Sequence, residues 1–196
     1  MTDLMRYAAA LSGQARGKHL PPVHKWNPEF CGDINLVIKR DGTWFYEGSP
    51  IGRAPLVRLF STVLKREGDR YFLVTPVEKL GIEVEDVPFL AVLMRREGPV
   101  PSDRLVFTTN VGDAVEAGLG HEIVFRRSEA ATSQIQGKAP YIHVRAGLWA
   151  RVARAVFYDL VALGETRDAN GEQQFGVASG TEFFPFGPAH EVFVDE

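Results

Sequence analysis

In the stretch "YEGSPIGRAPLVRLF", Tyr46 to Phe60, two glycines, two prolines and Arg53 stand where an aromatic strand turns into a helix. A strand that ends in glycines and enters a helix leaves backbone N–H groups unpaired at a positive dipole end, which suits a phosphate or a carboxylate. Arg53 adds a planar, permanently charged donor fork at the same place. The candidate contacts are therefore the N–H groups from Ile51 through Gly52 and Arg53 to Ala54, together with the Arg53 guanidinium. The alternative is that Arg53 bridges to an acid such as Glu78 and only fixes the corner. A second corner, "HVRAGLWARV", carries Arg145 where its strand meets its helix and Arg154 beside the apolar arc. Two such corners facing each other make an arginine-lined groove between domains. Thr75, Asn110 and Ser179 are the neutral hydrogen-bonding candidates there, and Tyr141 or Trp149 the candidates to stack on a base.

Catalytic and metal motifs are mostly missing. There is no Gly-rich loop ending in Lys-Ser/Thr, no G-x-G-x-x-G after a strand and no His-Glu-x-x-His. Gly118-Leu119-Gly120 reads as a turn, and Ser179 in "GVASG" lacks the spacing of a nucleophile elbow. The five histidines, His19, His24, His121, His143 and His190, are scattered without metal-ligand spacing. Cys31 has no local base and is followed two residues on by Asp33, so a structural or semi-exposed thiol is expected. No catalytic residue, metal or cofactor is assigned beyond a nucleotide-like ligand.

Composition sets the outer limits. At 196 residues, 45% apolar and 24% charged, the chain can bury one large core or two small ones. A formal charge of -3 and a pI near 6.0 argue against a general nucleic-acid coat. One cysteine makes no intramolecular disulfide, which fits a reducing cytoplasm. The N-terminal "MTDLMRYAAALSGQARGKHL" reads as a short amphipathic helix rather than a signal peptide. No run approaches the roughly 18 apolar residues of a membrane span.

The elements that must position the two corners follow from periodicity. "GQARGKHLPPVHKWNPEF" predicts an irregular arm pinned by Trp26 and Phe30. Strands are expected over Ile34–Lys39 and Thr43–Glu47 around an Asp41-Gly42 turn. A helix is expected from Pro55 to about Glu67, burying Leu56, Leu59, Phe60, Val63 and Leu64. "YFLVTPVEKLGIEVED" predicts two strands kinked at Thr75-Pro76, and "VPFLAVLMRR" and "RLVFTTNV" a hairpin across "EGPVPSD". "HEIVFRR" and "PYIHVRA" are further strands about the polar loop "SEAATSQIQGKA", followed by a helix from about Leu148 to Leu163 and a strand pair in "QFGVASGTEFFPFG".

This order recurs. Leu59, Phe60, Val63 and Leu64 fall on Val156, Phe157, Leu160 and Val161 at an offset of 97, and Glu78 has a near counterpart in Glu182. The expected fold is α+β, with two structurally related domains from an internal duplication of hairpin, helix and strands. The boundaries are a helix and arm over 1–25, a first domain over 26–86 and a second over 87–196.

At these residues the chain resembles a known family. "CGDINLVIKRDGTWFYEGSPIGRAPLVRLFSTVL" followed by "YFLVTPVEKLGIEVEDVPF" is similar to the bacterial DUF1285 family, a domain of unknown function. The likeness is strongest from about Trp26 to Phe89 and continues more weakly through "YIHVRAGLWARVARAVFYDLV" to the end. It implies a duplicated α+β core, a second domain superficially like a pleckstrin-homology domain, a nucleotide-based ligand at the domain interface and a role in signalling. The positions carried over are Asp41, Gly42 and Trp44, then Pro50, Ile51, Gly52 and Arg53, and later Thr75, Pro76 and Glu78.

The leading expectation is a non-enzymatic cytoplasmic sensor of a small anionic ligand. One alternative is a protein-interaction module, motivated by an exposed patch of Phe183, Phe184 and Phe186 in "TEFFPFGPAHEVFVDE". Another is a nucleotide or phosphoester enzyme with Glu78 or Glu182 as its base.

Overall fold

The computed structural model describes residues 11, 20–127, 137–169 and 171–192. The chain forms two compact units, residues 1–88 and 89–196. The expected N-terminal helix, Leu11 apart, and most of the polar loop before "KAPYIHVR" lie outside the described residues. No helix among the described residues is long and apolar enough to cross a membrane.

The first unit opens with a described arm that is irregular except for a 3-10 turn at Val23–Lys25. The Lys65 ammonium donates to the Trp26 carbonyl at 3.2 Å and ties the arm down. Phe30, expected to be an anchor in the core, is instead 48% exposed and rests edge-on against Phe72 at 6.1 Å. Strands β1 (Phe30–Ile38), β2 (Trp44–Tyr46) and β3 (Ser49–Pro50) precede helix α1 (Ala54–Ser61), and β4 (Leu64–Glu67), β5 (Arg70–Val74) and β6 (Lys79–Val84) follow it. They make one sheet in the order β3-β2-β1-β6-β5-β4, antiparallel except where β1 runs parallel to β6. Leu36, Ile38, Trp44, Phe60, Val63 and Leu73 form the dry core of this unit.

Two turns set the ends of β2. Between β1 and β2, the Gly42 N–H donates to the Lys39 carbonyl and Lys39 N–H to the Thr43 carbonyl, each at 2.9 Å. Gly42 takes φ +81° while Asp41 does not, so this is a type I turn closed by a glycine bulge. Between β2 and β3, Glu47 and Gly48 take φ +50° and +74°, the two positive values of a two-residue hairpin turn.

Helix α1 is shorter than its apolar periodicity predicts. The Ser61 and Thr62 hydroxyls donate back to the Arg58 and Leu59 carbonyls at 2.8 and 2.6 Å, a competing local bond that favours helix ends. Val63 and Leu64 then enter the sheet, with Val74 N–H donating to the Val63 carbonyl at 3.0 Å. Their burial was read correctly from the sequence, but they are buried through strand pairing and not through a helix face.

The second unit contains β7 (Phe89–Glu97), β8 (Arg104–Thr109), β9 (Ala114–Glu116), β10 (Ile123–Arg127), β11 (Lys138–Arg145) and β12 (Leu148–Val152). Helix α2 (Arg154–Ala162), strands β13 (Glu165–Ala169), β14 (Glu172–Ser179) and β15 (Glu182–Pro188), and the short α3 (Ala189–Val192) complete it. The helix expected from Leu148 thus begins only at Arg154. "LWARV" alternates buried and half-buried positions, pairs antiparallel with β11 and runs parallel beside β7. Ala146 and Gly147, at φ +45° and +75°, make the β11–β12 turn.

The six strands β7 to β12 form a sheet ordered β10-β11-β12-β7-β8-β9, which is the order of the first sheet with each strand number advanced by six. In both sheets two antiparallel meanders are joined through a parallel pair of first and sixth strands. The helix position differs: α1 lies between the meanders of the first sheet, whereas α2 follows the whole second sheet. An offset of 97 therefore lays helix on helix but not sheet on sheet.

A third sheet, β13-β14-β15, packs its apolar residues into the second unit. Phe186 lies 4.3 Å from the Phe125 ring centroid and 5.3 Å from that of Phe175. Phe184 and Phe186 are buried, and Phe183 lies half-buried under the Arg167 guanidinium. The expected exposed phenylalanine patch is not formed, because β15 uses these rings as core. Ser179 joins this sheet to the larger one: its hydroxyl accepts from the Leu105 N–H at 3.0 Å and donates to the Ala117 carbonyl at 2.7 Å.

A methyl group at Gly176 would lie 2.4 Å from the Phe184 carbonyl oxygen and 2.8 Å from the Pro185 Cα, backbone atoms that cannot swing aside. Gly176→Ala is expected to cost about 2–3 kcal/mol and to lower Tm by roughly 5–10 °C in calorimetry. Ser179→Ala leaves a buried donor and acceptor without their shared partner and should cost about 1–3 kcal/mol in urea unfolding. At the β7–β8 hairpin the Arg96 fork holds the Asp103 carboxyl below the usual carboxylate range. A depressed folded value contributes stability that is present above the unfolded value, about 3.9, and is lost as pH falls through the folded one. Denaturant midpoints of wild type and Asp103→Asn should therefore differ at neutral pH and converge in strong acid; a pH-independent difference would exclude this origin.

Candidate functional site

The first corner is built by the end of a meander. Edge strand β3 ends in Pro50, which has no N–H to offer a ladder, so the chain leaves the sheet here and enters α1. Ile51 N–H donates to the Trp44 carbonyl at 2.8 Å, which removes it from the expected set of free donors. Gly52 is exposed, its φ lies outside the left-handed range, and a Cβ there would meet nothing within 4 Å. Neither conformation nor crowding within the unit requires a glycine at this position. Arg53 is the N-cap residue of α1, extended at φ -98° and ψ 95°, with no side-chain capping bond. Its guanidinium is exposed and makes no hydrogen bond or ion pair with a described residue, Glu78 included.

Thr75 and Glu78 form a closed turn in the same unit. The buried Thr75 hydroxyl accepts from Glu78 N–H at 3.0 Å and Val77 N–H at 3.3 Å, while Thr75 N–H donates to the Glu78 carbonyl at 2.8 Å. These bonds shape the β5–β6 connection and engage the Thr75 hydroxyl together with the Glu78 backbone N–H and carbonyl.

In the second unit Arg145 is not at a strand-to-helix corner but at the end of β11, before the hairpin to β12. Its Nη1 donates to the Asp113 carboxylate, and its guanidinium stands 5.0 Å from the Phe89 ring centroid. Arg154 opens α2, exposed, with Nε donating to the Tyr158 hydroxyl at 3.0 Å. Asn110 pairs with Leu90 in both directions, Asn110 N–H to the Leu90 carbonyl at 2.8 Å and Leu90 N–H to Asn110 Oδ1 at 3.0 Å. With the Ser179 bonds described above, each of these polar side chains of the second unit has a partner within it.

The proposed stacking residues are also occupied. Tyr141 is 2% exposed, and the Arg126 guanidinium covers Trp149 at 4.0 Å from its centroid and Tyr141 at 5.5 Å. His143 lies 5.0 Å from Trp149 and accepts at Nε2 from the Gly147 N–H at 3.0 Å, which leaves Nδ1 to donate to the Gly120 carbonyl. Sequence reasoning missed this cluster. Its signal is the period-two spacing of Tyr141 and His143, which places them on one face, but their cross-strand neighbours depend on register.

Sequence reasoning also missed a cavity of about 250 Å³ beside the β7–β8 loop. Leu105, Leu163 and Ala178 line it together with two ion pairs, Arg96–Asp103 and Arg167–Glu165, both 2.5 Å long. Among the described residues, no group of three or more histidine, cysteine or acidic side chains is placed to hold a metal ion.

Comparison with known proteins places these features in a family. Residues 21–87 match the N-terminal domain of DUF1285, a domain of unknown function, and residues 88–186 match the C-terminal domain of the same family. No curated protein matches the chain. The crystal structure of a DUF1285 family protein from Silicibacter pomeroyi DSS-3 is similar at 48% identity and a TM-score of 0.85, over 96% of each chain. A DUF1285 family protein from Shewanella baltica OS155 is similar at 29% identity and a TM-score of 0.50, over 65% of this chain and 90% of the other. With both domain matches in chain order and a relative alike over nearly its full length, the chain belongs to the DUF1285 family.

Proposed function

We propose that this protein is a non-enzymatic sensor whose first unit holds a small anionic group, the phosphate of a nucleotide-based ligand, at the corner formed by Gly52, Arg53 and the start of α1. The observation that carries this reading is a single one. An exposed arginine fork with no hydrogen-bond or ion-pair partner among the described residues stands beside a glycine that neither backbone conformation nor packing requires. An anion that approaches the backbone closely accounts for both. Arg53 serves as the bidentate donor, and the first N–H groups of α1 add the positive end of a short dipole.

Arg145 is already paired with the Asp113 carboxylate within the second unit and is left out of this proposed site. The reading as an interaction module loses its motivation with the burial of Phe184 and Phe186. We place the protein in the cytoplasm, supported by a lone, exposed, free thiol at Cys31. We further infer that the two units descend from a duplication, supported by their shared strand order. A pleckstrin-homology-like character of the second unit is part of the same proposal and rests on family resemblance.

Thermal shift with nucleotides, cyclic dinucleotides, dinucleotide cofactors and simple phosphates tests the site. A true ligand at 100 times its Kd adds about 2.7 kcal/mol, or roughly 5–10 °C. Gly52→Ala and Arg53→Ala should leave the ligand-free Tm unchanged and abolish that shift. A shift that survives Arg53→Ala intact, or no shift with any compound, would sink the proposal.

A further inference from the structure

The cavity beside the β7–β8 loop lies wholly within the second unit and involves none of the residues of the Arg53 corner. At about 250 Å³ it is smaller than the roughly 300–1,000 Å³ that drug-sized ligands occupy, so it suits a small metabolite. Its floor is apolar, from Leu105 and Leu163, and its rim carries two cations and two anions. That balance matters, because a bare anion meets two carboxylates and a bare cation two guanidinium groups.

The rim nevertheless has binding capacity left over. A guanidinium has five N–H donors. Arg96 commits Nε and Nη2 to Asp103, and Arg167 commits Nη2 to Glu165; neither bonds any other described residue. Nη1 of Arg96 and both Nε and Nη1 of Arg167 are therefore still able to donate. Asp103 accepts at both carboxylate oxygens, whereas Glu165 meets Arg167 at Oε1 and accepts no hydrogen bond from another described residue. The Arg167 fork is held over the Phe183 ring at 4.8 Å, so it is oriented before any ligand arrives.

We infer that this cavity binds a small zwitterion with an apolar side chain, an apolar α-amino acid. Its carboxylate accepts from the unspent N–H groups of Arg167 and Arg96, its ammonium donates to Glu165 Oε2, and its side chain covers Leu105 and Leu163. The rim stays electrically neutral with the ligand in place.

Isothermal titration of the full chain with valine, leucine, methionine and phenylalanine tests this, alongside isocaproate and isoamylamine, which each retain only one charge of leucine. At least one amino acid should bind one to one, with both truncated analogues weaker. Arg167→Ala and Arg167→Lys should each weaken binding by about tenfold or more, since neither keeps the fork. Glu165→Gln should weaken the amino acid more than isocaproate, and Arg53→Ala should change nothing. Absence of binding by all four amino acids at millimolar concentration would overturn the inference. So would isocaproate binding as tightly as leucine, or unchanged affinity in Arg167→Ala with its circular dichroism intact.

Discussion

Each of the two large sheets depends on one parallel pairing. β1 beside β6 and β7 beside β12 bring together the first and last strands of a six-strand segment, and every other pairing in these sheets is a local antiparallel meander. Antiparallel neighbours need only a tight turn, whereas parallel strands need a long crossover. In the first unit that crossover includes α1, and the chain must leave the edge strand β3 to reach it. The exposed corner at Gly52 and Arg53 is a consequence of this departure.

The same constraint separates the two arginines that sequence spacing pairs. The position in the second sheet that corresponds to the β3–α1 corner is the turn after β9, where Gly118 and His121 pair as an isolated bridge. Arg145 instead ends a strand that has neighbours on both sides and lies only partly exposed. A charge taken that far from water needs compensation, and the Asp113 carboxylate and the Phe89 ring provide it. Arg53 meets no such requirement, because the helix start where it stands faces solvent.

The smaller sheet shows how apolar sequence is put to use. β15 pairs with β14 in the small sheet, and its Phe186 packs against Phe125 of β10 and Phe175 of β14. Gly176 allows β15 to approach within van der Waals contact, and Ser179 satisfies a buried donor and acceptor from the larger sheet. Arg167 and Glu165 then stand on the solvent side of the same small sheet, at the rim of the cavity.

Local chemistry alone determined a good part of this protein. The Asp41-Gly42 turn, the β-rich runs "RLVFTTNV" and "PYIHVRA" and the α+β class all follow from residue type and spacing, because turns and pleats act over two to five residues. The family was also legible, since its longest motif spans the first unit almost without interruption. Helix limits were not: Val63, Leu64 and "LWARV" are apolar at positions that a helix or a strand can bury equally well, and only pairing with β5, β7 and β11 decides between them. The partners of Arg145, Thr75, Asn110 and Ser179 depend on register across strands far apart in sequence. A side chain's type sets what it can bond, but the tertiary structure decides which of those bonds are already made within the fold.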